Sequence, residues 1–205
     1  IMQGSYGNKT FYAKWSSKYY LFDTYNKTII GVTDYAKTCS SLVIPEQING
    51  IDVSGIGYSA FSNCSKLNSV TIPDSVASIE NSAFSGCAGL TSIYYAGDIA
   101  SWCGISGLRN IMSSSMTLYI GGKRVEGELI IPNSVKSISD SAFSYCKGLT
   151  SVIIADSVTS IGEEAFNGCT GLTSVTIGNG VMRIGDRAFS YCKGLVSVTF
   201  GNSVT

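Results

Sequence analysis

Cysteine returns in this chain on a fixed period. Cys64 and Cys87, Cys146 and Cys169, and Cys169 and Cys192 stand 23 positions apart, each inside the frame Ala-Phe-x-x-Cys-x-x-Leu. The frame carries more than its cysteine. Val158, Ile161, Ala165, Phe166, Cys169, Leu172, Val175 and Ile177 keep the same offsets as Val181, Ile184, Ala188, Phe189, Cys192, Leu195, Val198 and Phe200. Earlier copies begin at Val53, Val76 and Val135, which makes five. A period of this length is the signature of a solenoid: one unit cannot bury its apolar face alone, and stacked units share a continuous core.

Each frame divides into three local pieces. Leu-x-Ser-Val-x-Ile alternates apolar and polar and is β-branched, so it reads as a strand with Val and Ile inward. An Asx-Ser or Asx-Gly corner follows, such as Asp156-Ser157 or Asn179-Gly180, and then Val-x-x-Ile gives a second, shorter extended segment. The Ala-Phe-x-x-Cys stretch is too short for a full helix and predicts one or two helical or 3₁₀ turns. The expected fold is a β-rich α/β solenoid of about 23-residue coils, with a parallel sheet on one face. Stacking makes columns of like residues about 4.8 Å apart. One column is Phe61, Phe84, Phe143, Phe166 and Phe189; another is Cys64, Cys87, Cys146, Cys169 and Cys192.

The cysteines then read as core residues, small soft groups filling a recurring gap beside Phe and Leu. The competing reading is a disulfide ladder. Neighbouring Cα atoms would lie in bridging range, but parallel Cα–Cβ vectors keep the Cβ atoms near 5 Å apart, against the roughly 3.8 Å a bridge prefers.

Composition narrows the chemistry. Charged residues make up 14%, with 14 basic and 14 acidic side chains cancelling, and no basic excess is present to hold nucleic acid or anionic lipid. No apolar run approaches the roughly 18 residues of a membrane span, so no membrane insertion is expected. Histidine is absent and no Cys-x-x-Cys pair occurs, which removes the commonest general base and the usual zinc and redox motifs. No catalytic residues, metal site or cofactor are predicted. The Ser/Thr/Asn/Gly-rich, charge-poor character suits an extracellular or cell-surface location.

Two rows are candidates for chemistry or binding. Asp140, Glu163 and Asp186 share one repeat position; the expectation is that they cap the short turns of their coils, with a weak cation ladder as the alternative. Lys147 and Lys193 would fit the C-terminal ends of the same turns. The strands offer a second row, since residues between the inward ones face solvent: Ser69 and Thr71, Ser92 and Tyr94, Ser151 and Ile153, Ser174 and Thr176, Ser197 and Thr199. Of the outward side chains Tyr94, Tyr119 and Ile153 bring the most contact energy. Hydroxyl rows can equally serve only to tie strands together.

The frame Ile-Pro-x-Ser-Val-x-x-Ile-x-x-x-Ala-Phe-x-x-Cys-x-x-Leu-x-Ser-Val-x-Ile resembles the BspA-type (treponemal-type) leucine-rich repeat family over roughly Ile44 to Thr205. The stretch "IIGVTDYAKTCSSLVIPEQINGIDVSGIG" is similar to the lead-in coil of that family, with five extra residues between Ile44 and Val53. "YYAGDIASWCGISGLRNIMSSSMTLYIGGKRVEGELIIP" is similar to its irregular coil, which explains why Cys87 and Cys146 are 59 apart. Within it, "DIASWC" predicts a short helix capped by Asp98, "TLYIGGKRV" a hairpin with a Gly-Gly turn, and Trp102 and Cys103 an anchor to the solenoid. Near the start, "NKTFYAKW" looks like the closing strand of an internalin-type B repeat. The resemblance implies a leucine-rich-repeat solenoid on a surface protein that binds proteins of a host or neighbouring cell, without catalysis.

The expected organisation is 1–15 as the tail of a preceding surface module, 16–43 as an N-terminal β cap, and 44–205 as solenoid with an irregular coil at 96–130. The opening "IMQGSYGNKT" and the closing "FGNSVT", which starts another frame, suggest a piece of a longer protein. A passive spacer, or a substrate-binding region of a larger enzyme, are the other functional readings.

Overall fold

The computed structural model describes residues 18–201, together with the backbone of Ser5–Tyr6 and Lys9–Thr10, which pair antiparallel. The stretch likened to a B repeat, residues 8–15, lies outside the described residues apart from that short strand.

The β-branched Leu-x-Ser-Val-x-Ile segments are the strands of a front sheet. Its first part runs Ser41–Val43, Ser69–Ile72, Ser92–Tyr95 and Thr117–Ile120, all parallel and in register. Its second part runs Gly127–Ile131, Leu149–Ile154, Ser174–Ile177 and Ser197–Phe200, again parallel. The expected single sheet is therefore parted in two. Lys123–Arg124 pairs antiparallel with Thr117–Ile120 at the break.

The Val-x-x-Ile segments make two-residue strands on the opposite side. Ser137–Ile138, Ser160–Ile161 and Arg183–Ile184 form one short sheet. Gly55–Ile56 and Ser78–Ile79 form another, which the antiparallel hairpin of Tyr20–Asp23 and Thr28–Val32 extends at the N-terminal end. The five extra residues near Ile44 are a second hairpin, Gln47–Ile48 with Ile51–Asp52. Its two-residue turn, Asn49-Gly50, has φ of 55° and 76°, the pair of left-handed residues that an Asn-Gly type I′ turn supplies.

Between the sheets lies a core of alternate strand residues, with Val70, Ile72, Val152, Val175 and Ile177 buried. The phenylalanines stack as the period requires. Phe61 and Phe84 lie 4.8 Å apart, Phe143 and Phe166 5.3 Å, and Phe166 and Phe189 5.2 Å, with rings within 13° of parallel. These spacings are the strand separation carried into side chains.

The Ala-Phe-x-x-Cys stretch takes i→i−3 hydrogen bonds, as in Ser62 N–H to Ser59 O and Cys64 N–H to Phe61 O. It does not run on as a helix. Two residues per coil, four apart, have left-handed φ: Ser59 and Asn63, Ser82 and Gly86, Ser141 and Tyr145, Glu164 and Gly168, Arg187 and Tyr191. Each turn of bonding is broken by the next, and backbone groups point along the stack instead. Phe61, Phe143 and Phe166 donate their N–H to Ala83, Ala165 and Ala188 of the following coil at 2.7–2.8 Å. The left-handed residue before each cysteine alternates in size. A Cβ on Gly168 would meet Tyr145 Cδ1 at 2.5 Å, and one on Gly86 would meet Asn63 Oδ1 at 2.5 Å, so each glycine accommodates the larger side chain of the preceding coil.

Candidate binding surface

The irregular coil builds the centre of the front face. Its helix, Ile99–Cys103, is capped by Asp98, whose carboxylate accepts the Ser101 N–H while the Ser101 hydroxyl accepts the Asp98 N–H. The Ser101 N–H, and then the Ser101 hydroxyl, donating to the carboxylate hold the Asp98 carboxyl below its usual pKa. Trp102 and Cys103 are wholly buried, as expected of an anchor. The indole Nε1–H donates to Ala142 O at 2.7 Å. In regular coils that alanine carbonyl accepts the N–H of the preceding phenylalanine; the irregular coil has no such phenylalanine, and Trp102 supplies the donor. Asn110 plays the same part on the other side of the coil, giving its Nδ2–H to Ile79 O at 3.0 Å where a backbone N–H serves Ile138 and Ile161.

The chain then enters Thr117–Ile120, turns through Gly121-Gly122, both at positive φ, and returns as Lys123–Arg124. This is the predicted hairpin. It sets Tyr119 beside Tyr94 and opposite Arg124. The two tyrosine rings stack at 4.5 Å and 18°.

The named outward residues fall into two rows across the strands. Ser41, Ser69, Ser92 and Thr117 form one on the first part of the sheet, and Ser151, Ser174 and Ser197 continue it on the second, led by Glu128. The other row reads Val43, Thr71, Tyr94, Tyr119 and Arg124, then Ile130, Ile153, Thr176 and Thr199. Tyr94 and Ile153 are 38% and 37% exposed, Tyr119 is half-buried, and Thr176, Ser197 and Thr199 are exposed. Ser69, Thr71, Ser92, Ser151 and Ser174 are half-buried. Ile153, Thr176, Thr199 and Phe200 also border a groove of about 500 Å³. The break in the sheet separates Tyr94 and Tyr119 from Ile153. Sequence reasoning passed over Val43 and Ile130, which at 63% and 54% exposure are the most open aliphatic members of the row; Val43 is off the 23-residue period, but Ile130 stands 23 positions before its partner Ile153, and strand alternation would have found both.

The acidic row does not cap its own turns. Asp140 Oδ1 accepts the N–H of Glu163, one coil on, at 2.8 Å, and Glu163 pairs with Arg109 of the irregular coil at 3.1 Å. Lys147 likewise reaches the carbonyl of Ser114 rather than the end of its own turn. In-register stacking brings the neighbouring coil's backbone closer than the residue's own. Among the described residues, no group of three or more acidic, cysteine or histidine side chains is placed to hold a metal ion, and no helix is long and apolar enough to cross a membrane.

All seven cysteines are free thiols, and the column has a role beyond filling space. Cys87, Cys169 and Cys192 donate S–H to the carbonyls of Phe61, Phe143 and Phe166 in the preceding coil at 3.0–3.2 Å. Burial pushes the Cys146 and Cys103 thiols up to about 12 and Cys87 to about 11, so at neutral pH these three are protonated and poor nucleophiles.

The fold and these columns define an in-register stack of repeat coils with one broad outward face, the architecture of leucine-rich-repeat proteins. The chain belongs to the BspA type leucine rich repeat family, whose profile matches residues 28–106 and 125–205 in six copies; the gap falls within the irregular coil. A leucine rich cell surface protein from Faecalibacterium prausnitzii is similar at 29% identity and a TM-score of 0.60, over 98% of this chain and 55% of that one. A leucine rich repeat protein from T. pallidum is 26% identical over 91% of this chain and 70% of its own, with a TM-score of 0.40. The chain thus spans about half the length of the first of these. Among curated proteins, none matches.

Proposed function

We propose that this chain is a non-enzymatic protein-binding module displayed at a cell surface, recognising a protein of a host or neighbouring cell through its front sheet. The observation that carries this reading is the in-register row of Tyr94 and Tyr119 on one part of the sheet and Ile130 and Ile153 on the other. Outward strand positions gain nothing for the core, and large aromatic and aliphatic groups held there are the residues that dominate contact energy in protein interfaces. In the Tyr94–Tyr119 pair one face of each ring is covered by the other ring, which leaves less open ring face for stacking beneath a sugar. The F. prausnitzii relative is described as a cell surface protein, which supports the location.

The test is binding of the whole chain to a panel of extracellular proteins, compared with a Tyr94→Ser, Tyr119→Ser, Ile153→Ser variant. A partner held by this face loses about 2 kcal/mol or more at an anchor residue, so affinity for it should collapse while the fold persists. Equal binding by the variant rejects this face. Absence of any binding favours the second reading, a passive spacer, for which the bond from Ser69 Oγ to Ser41 Oγ at 2.9 Å speaks: some of the outward hydroxyls are spent within the sheet.

A further inference from the structure

We infer that the Tyr94–Tyr119 part of the face takes an acidic segment of its protein partner, with Arg124 as the residue that meets the carboxylate. This rests on the reading of that face as a binding surface and adds the charge of what binds there. Arg124 is the direct cross-strand neighbour of Tyr119, and directly opposed residues share a face, so Arg124 stands on the face that carries the aromatic row. At the outward strand positions of this part of the sheet the other side chains are hydroxyls, Val43 and the two tyrosines, with no carboxylate among them. Two carboxylates follow in the chain: Glu126, which pairs with Arg124 itself, and Glu128 on the other part of the sheet.

Three features favour an anion here. The guanidinium offers a fork of donors and no acceptor. Phenol hydroxyls can donate beside it. The two rings cover one face of each other, and the edge of an aromatic ring carries its partial positive charge. Arg124 is held at present by Glu126 at 3.3 Å, with both side chains about half exposed. Such an exposed pair is weak, and a partner's carboxylate can replace Glu126 at little cost.

The experiment selects linear peptides from a random phage-displayed library on the intact chain, with the Tyr94→Ser, Tyr119→Ser variant as the subtractive control. The selected peptides should carry Asp or Glu beside an apolar residue, and raising the salt concentration should weaken them. Arg124→Ala should reduce their affinity about tenfold, as loss of an interfacial charge pair does. Glu126→Gln should raise it, because the competing carboxylate is gone; a purely structural role for Arg124 predicts no gain. Peptides that require the two tyrosines yet bind the Arg124→Ala chain as well as wild type overturn the acidic specificity and leave the surface reading standing. If no peptide is selected, or those selected are indifferent to both tyrosines, the surface reading and this inference fall together.

Discussion

Replacing Trp102 tests how the irregular coil is joined to the repeats that follow it. The side chain is fully buried, lies 5.2 Å from the Tyr95 ring, and is the donor to Ala142 O. Trp102→Phe keeps an aromatic ring there but removes that donor. A buried carbonyl left without a partner costs about 1–3 kcal/mol. The smaller ring adds the loss of part of a buried indole, on the order of 1 kcal/mol at about 25 cal/mol per Å². The expected loss is about 3 kcal/mol. For a chain of this size each kcal/mol lowers Tm by about 2–4 °C, so thermal unfolding followed by far-UV circular dichroism should shift down by roughly 6–12 °C. Trp102→Ala should cost more, about 3–5 kcal/mol for the cavity alone. Because coils contact only their neighbours, it should also split the transition into two, as the coils before and after the joint melt separately. A Phe variant melting within about 1 °C of wild type would refute the idea that the indole stands in for a backbone donor, since the penalty for an unpartnered buried carbonyl could not be so small.

The glycine alternation predicts that Gly168→Ala destabilises by about 2–3 kcal/mol, from left-handed φ on an L-residue and contact with the Tyr145 ring. In a Tyr145→Ala background the cost should fall to the backbone part alone, about 1–2 kcal/mol; identical costs in the two backgrounds by urea titration would show that the ring is not what the glycine accommodates. Alkaline pH provides a third test. Cys146 has an ordinary value of 9.0 and is raised to about 12 by burial, so the folded state holds this proton more tightly than the unfolded one. Its contribution is complete below about pH 9 and is lost as pH rises toward 12. Tm should therefore fall above about pH 9 and the fall should be shallower in Cys146→Ala, whereas equal slopes would rule the thiol out.

Much of the architecture was legible because a solenoid writes its packing into a period. An inward residue must meet its own equivalent one coil away, so Phe166 and Phe189 had to recur 23 apart, and strand alternation then placed Tyr94 and Ile153 outward. Asp98, Gly121 and Gly122 were readable as well, since caps and hairpin turns use local chemistry. The Asn49-Gly50 turn carried an equally local signal that the count of extra residues obscured. The acidic row was misassigned for a different reason. Capping rules concern a residue's own turn, and Asp140 bonds instead to Glu163, a group 23 positions away that only stacking brings near.

From its residues alone the chain was bound to stack coils around a dry column of Phe, Leu and Cys, because no single coil can bury its own apolar side. Where the stack is interrupted, and what heals the interruption, depended on three dimensions. That the front sheet parts beside Arg124, that Trp102 and Asn110 replace missing backbone donors, and that the cysteine thiols bond to the preceding coil's carbonyls are facts of hydrogen-bond geometry between segments far apart in the chain. A periodic pattern reports which side chains recur; it does not report which donors and acceptors remain once the period fails.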